Sequence, residues 1–152
     1  MRLLDGAALA AGDDVLVLGA GPLVFGAHER VGDGWVYVVR SQVDDLEELL
    51  GEAHRSGAAG VAYLVGDAPV LPLPDGAVGA AVGRVAVEAD ALVEAARELH
   101  RVLRPEGRLA LGEPDEEGGQ ALRDALAAAG FVEIAASAGS GPGEDVVTAR
   151  RP

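Results

Sequence analysis

"VLVLGAGPLVFG", Val15 to Gly26, is the stretch whose reading decides the fold of this chain. An unbroken apolar run ends in Gly19-Ala20-Gly21, and a second apolar pattern follows. A run without polar alternation is expected of a strand covered on both faces. Glycines directly after it fit a turn where the backbone must come close to another group, because they carry no side chain. Such a turn serves cofactor-binding folds and ordinary strand-to-helix connections alike, so the two glycines alone do not choose between them.

The rest of the chain alternates short apolar runs with helical patterns, which predicts a parallel α/β sheet. The first strand is expected over Asp14–Gly19, the second over Val36–Val39 and the third over Val61–Val65. A fourth is expected over Ala77–Val85, weakened by Gly79 and Gly83, and a fifth over Arg108–Gly112. Between the second and third, Val43, Leu46, Leu49, Leu50 and Ala53 share one face of a helix over Val43–His54. Gly66 to Gly76 is expected to be loop, since three prolines interrupt it.

Asp90 is placed to cap a helix with Leu92, Ala95, Ala96, Leu99, Val102 and Leu103 inward, stopped by Pro105 and Gly107. Asp115 is placed to cap another that runs to Gly130, with Leu122, Ala125, Leu126 and Ala129 inward. Phe131–Ala136 and Asp145–Arg150 are joined by "SAGSGPGE", too short for a helical crossover, so these last two strands should be antiparallel.

Bulk properties narrow the function. The 152 residues suit a single domain, 1–152, with a real core. Without cysteine there is no disulfide, thiolate zinc site or cysteine nucleophile. The net charge is −13 and the 12 basic side chains are all arginine. So acidic a chain, with no basic stripe, argues against nucleic acid as a partner. The absence of lysine excludes Schiff-base chemistry and a Walker-type phosphate lysine. No stretch approaches the ~20 apolar residues of a membrane span, and the first residues lack a signal-peptide pattern. A cytoplasmic location away from membranes is the expectation.

Several segments together resemble the class I S-adenosylmethionine-dependent methyltransferase family, from about Asp13 to Arg150. "GDDVLVLGAG" resembles the family's first strand and glycine loop, and "VGDGWVYVVRS" its second strand. "GDAPVLPLPDGAVGAAV" is the most specific piece, similar to the family's acidic loop, LP-x-PD-G turn and fourth strand. "LVEAARELHRVLRPEGRLALGEPD" is nearly as specific. The resemblance implies a Rossmann-like sandwich: a mostly parallel seven-stranded sheet closed by an antiparallel C-terminal hairpin. It also implies a cofactor, S-adenosylmethionine, lying beyond the carboxyl ends of the strands at the switch in strand order. Carried over residue by residue, the cofactor-binding set is Gly19, Ala20, Gly21, Arg40, Ser41, Asp67 and Ala68. Asp67 would accept a hydrogen bond from the adenine amino group, and Ala68 would offer its backbone N–H to a ring nitrogen.

Four positions depart from the family's pattern. Val17 stands where an acid usually approaches the methionine half of the cofactor. Leu23 stands in place of a third glycine, and Gly79 in place of an acid in the fourth-strand turn. Arg40 aligns with the acid that accepts both ribose hydroxyls. A guanidinium has donors only. Losing this charge-assisted double hydrogen bond, worth roughly 2–4 kcal/mol in all, would weaken binding by about two orders of magnitude.

These departures leave alternatives open. The chain is expected to be a methyltransferase with a weakened cofactor site, acting on a small molecule or a protein group. The alternatives are a pseudo-enzyme kept as a binding or assembly subunit, and a catalyst that uses the pocket without methyl transfer. An arginine near position 40 also suits the 2′-phosphate of NADP, but the third glycine of that fingerprint is missing. No catalytic base and no metal site can be assigned. His28, His54 and His100 are scattered on helical patterns. Asp90 beside Glu88 suits a helix cap, and Glu113, Asp115, Glu116 and Glu117 suit the charge of a helix start. Asp67 itself suits turn formation as well as adenine binding. About twelve residues precede the first strand and the later loops are short, so a second subunit, a partner or the substrate is expected to supply the lid.

Overall fold

A computed structural model of the protein describes residues 2–18, 22–40, 47, 51, 60–66, 70–85, 91–112, 116–137 and 145–152. In chain order the elements are α1 (Arg2–Gly6), β1 (Val15–Leu18), α2 (Pro22–Val31), β2 (Val36–Arg40), β3 (Val61–Val65) and β4 (Val78–Gly83). They continue with α3 (Leu92–Val102), β5 (Leu103–Gly112), α4 (Glu116–Ala128), β6 (Val132–Ser137) and β7 (Val146–Arg150). Most of the helix expected over Val43–His54 lies outside the described residues; Glu47 and Gly51 within it are helical.

Seven strands form one sheet in the order β3-β2-β1-β4-β5-β7-β6. The first five run parallel, and β7 enters antiparallel between β5 and β6. The chain builds β1, β2 and β3 outward in one direction, then returns to lay β4 on the other side of β1. Strand order therefore reverses between β1 and β4, and in open sheets of this kind such a reversal makes a crevice beyond the carboxyl ends of the two strands.

The alternation of side chains along each strand divides the core into two layers. Val15, Val17, Val36, Val38, Ala80 and Val82 pack with Leu4 of α1 and with Leu23, Val24, Ala27 and Val31 on α2. Leu16, Leu18, Ala81, Leu109 and Leu111 pack with Ala96, Leu99 and Val102 of α3 and with Leu122, Ala125 and Leu126 of α4. All four residues of β1 are buried, as its unbroken apolar run requires.

Helix ends follow local chemistry. The residue before α3 is Ala91, which makes no side-chain cap; Asp90 lies outside the described residues. The other end of α3 is closed by Arg151, whose guanidinium donates to the carbonyls of His100 and Leu103. After α4, Phe131 N–H donates to Leu126 O at 3.1 Å and Gly130 N–H to Ala127 O at 3.1 Å. That paired reach-back requires a positive φ at Gly130, which is +100°.

Two expectations are corrected. The fifth strand starts at Leu103, five residues before Arg108, because Leu103 already pairs with Val78. The turn Arg104–Gly107 then bulges outward, with Glu106 at φ +69°, before pairing resumes at Arg108. Pro105 is accommodated there because a bulge needs no ladder donor. A short helix, α1, also precedes β1 where none was expected.

Candidate functional site

The carboxyl ends of β1, β2, β3 and β4 converge on one edge of the sheet. Leu18 of β1 is paired with Gly83 of β4, and Arg40 at the end of β2 with Val65 of β3. The loops that continue from these ends hold Gly19, Ala20, Gly21, Ser41, Asp67 and Ala68, all of which lie outside the described residues. Arg40 is placed by its backbone as the last residue of β2.

At the switch point β1 and β4 approach closely. Arg84 N–H donates to Leu18 O at 3.0 Å, so the chain leaving β4 stays tied to the end of β1. Gly83 sits at φ +136°, and a Cβ there would lie 2.1 Å from Leu18 O. No side chain fits at that point. Sequence reasoning took Gly83 for a weakness of the strand; the structure makes it a requirement of the switch point. A glycine at the end of an apolar strand was the available signal.

Next to it, the Arg84 side chain lies over Gly112 at the end of β5, with Cζ 2.7 Å from where a Cβ of Gly112 would be. Arg84 is exposed and brings a guanidinium to the carboxyl ends of β4 and β5. It was not anticipated, because an isolated arginine after a strand carries no motif.

Val17 and Leu23 belong to one buried cluster with Val24, Val38 and Val82. Both replacements are therefore filled by core packing between β1 and α2. His100 lies against Phe131, edge to face at a centroid distance of 5.2 Å. Burial, and then the charge of Arg151, push its pKa below the ordinary histidine value. Among the described residues, no three His, Asp or Glu side chains gather closely enough to hold a metal ion. No helix among them is long and apolar enough to cross a membrane.

Comparison with known proteins completes the description. The family model for a methyltransferase domain matches residues 30–111, more than half of the chain. The chain belongs to the class I S-adenosylmethionine-dependent methyltransferase family. A curated relative of this methyltransferase domain is an uncharacterized 37.1 kDa protein in transposon TN4556 of Streptomyces fradiae. It is 35% identical over 121 residues, which are 74% of this chain and 33% of that protein. The chain thus spans about one third of the length of that relative.

Solved structures carry the same fold. The 4+2 cyclase SpnF superposes with a TM-score of 0.78 at 19% identity, over 98% of this chain and 78% of that one. A SAM-dependent O-methyltransferase from Thermotoga maritima does so at 0.78 and 16%, over 95% of this chain and 61% of that one. A SAM-dependent methyltransferase from Aquifex aeolicus gives 0.70 and 22%, over 97% and 85%.

Proposed function

We propose that this methyltransferase domain binds S-adenosylmethionine in the crevice beyond β1 and β4 and transfers its methyl group to a small molecule or a protein group. The observation that supports the reading is the reversal of strand order between β1 and β4, the position at which open α/β sheets bind their ligands. Gly19, Ala20 and Gly21 would approach the cofactor's methionine half, and Asp67 and Ala68 would hold the adenine. Arg40 and Ser41 would stand at the ribose. Bound there, the cofactor supplies an electrophilic methyl group. The protein's share is to position it and to exclude water. The short loops leave that exclusion to a second subunit, a partner or the substrate.

Arg40 favours a second reading, a pseudo-enzyme that keeps the fold for binding or assembly. Its guanidinium offers the ribose hydroxyls no acceptor. The likeness to SpnF, a cyclase, is a reminder that this fold hosts other chemistry. The substitution Arg40→Asp separates the readings. If the site is a working one with a weak ribose contact, the variant binds S-adenosylhomocysteine about a hundredfold more tightly. If Arg40 contacts a different ligand, the substitution brings no gain.

A further inference from the structure

We propose that Glu98 and Arg101 of α3 are positioning residues for the adenine end of the cofactor site, acting as a clamp on the proline loop that follows β3. The inference rests on the cofactor reading above. Pro69, Pro72 and Pro74 each lack a backbone donor, so this loop cannot hold itself by an unbroken ladder of its own. Two side chains from a neighbouring helix do so instead.

Glu98 Oε2 accepts from the Leu71 N–H at 2.7 Å. Arg101 Nη2 donates to the Leu71 carbonyl at 3.1 Å. Both backbone groups of Leu71 are thus satisfied by one acid–base pair. The pair is itself joined twice, from Arg101 Nε to Glu98 Oε1 at 2.7 Å and from Nη2 to Oε2 at 2.9 Å. Arg101 Nη1 donates to Asp75 Oδ1 at 2.8 Å, and the Arg101 carbonyl accepts from the Gly76 N–H at 2.9 Å.

The side chain of Leu71 is buried in the layer beneath α3 and α4. The clamp reaches the end of β3 through Pro72: its Cδ lies 2.9 Å from where a Cβ of Gly66 would be, and Val70 O lies 3.4 Å from that point. Gly66 and Val70 bracket Asp67, Ala68 and Pro69. Holding Leu71 therefore restrains Gly66 and Val70, the two residues that flank the segment to which the cofactor reading assigns the adenine contacts. Glu98 and Arg101 do not touch the cofactor; they set the fraction of molecules whose loop is ready to bind it.

The test is the calorimetric Kd of S-adenosylhomocysteine and of adenosine for the full chain and for Glu98→Gln, Arg101→Gln and the double variant. Arg104→Gln is the control. It removes bonds to Gly76 O and Ala77 O at the far end of the same loop and to Asp14 just before β1. Each clamp variant should weaken both ligands roughly tenfold, and the double variant should be little weaker than either single one. Amide exchange at Leu71 should accelerate in parallel. Arg104→Gln should lower the unfolding temperature and leave both Kd values within about twofold. Should Arg101→Gln fail to fold, Glu98→Gln carries the test, since its amide oxygen retains one acceptor. Unchanged Kd in a folded clamp variant overturns the inference and spares the cofactor reading. No binding by the unsubstituted protein overturns both.

Discussion

Gly83 and Gly112 sit at the carboxyl ends of adjacent strands and make opposite demands. A Cβ on Gly83 would meet the carbonyl of Leu18 at 2.1 Å, in a backbone region that side chains rarely adopt. Neither can move without parting β1 from β4. The three atoms nearest a Cβ on Gly112 would all belong to the Arg84 side chain, the closest being Nη1 at 2.5 Å, and an exposed arginine side chain shifts more readily than a strand backbone. Gly83→Ala should therefore cost more than about 3 kcal/mol, or prevent folding. Gly112→Ala should cost about 1 kcal/mol or less. Urea unfolding of the two variants measures this, and equal losses would contradict the account. The same scale explains Val17 and Leu23. In sequence they are departures from a cofactor motif; in the structure they are core residues on one face of β1 and α2. A motif comparison sees a missing acid and a missing glycine. It does not see that the space is already filled.

The elements were largely legible because their signals are local. β3 has the bounds that its run of Val61 to Val65 predicts, and α3 buries Ala95, Ala96, Leu99 and Val102 on its inner face as the spacing requires. Gly130 closes α4 with the positive φ expected after a helix. What sequence could not show depends on contacts distant along the chain. Leu103 becomes strand because Val78 lies beside it. Glu98 looks like a solvated helix position until Leu71 is placed against it. The Arg101 hydrogen bond holds the Glu98 carboxyl below its ordinary pKa; burial opposes this, and the Leu71 N–H and the charge of Arg101 reinforce it. A carboxyl with a depressed folded-state pKa stabilises the fold above its unfolded value and ceases to do so as pH falls through the folded value. At pH 7, Glu98→Gln should cost about 2 kcal/mol. The difference from the unsubstituted protein should shrink as pH falls below about 4.5. Urea midpoints taken at intervals from neutral pH downward test this; a difference that does not change with pH would contradict it.

At the scale of the molecule, a mostly parallel seven-stranded sheet with an antiparallel C-terminal hairpin was implied by resemblance and is what the structure shows. The candidate site was legible only as a place: the crevice between β1 and β4 follows from the topology, whereas its contents depend on loops whose residues sit beyond the strand ends. The central claim is that this crevice still binds S-adenosylmethionine, more weakly than an unaltered ribose contact would allow. The most direct measurement is calorimetric titration of the full chain with S-adenosylhomocysteine, alongside Asp67→Ala. The account predicts saturable heat, with an affinity about two orders of magnitude below that of a site with an acid in place of Arg40. It also predicts that Asp67→Ala abolishes the binding. No heat at millimolar ligand, or equal binding by Asp67→Ala, would contradict it.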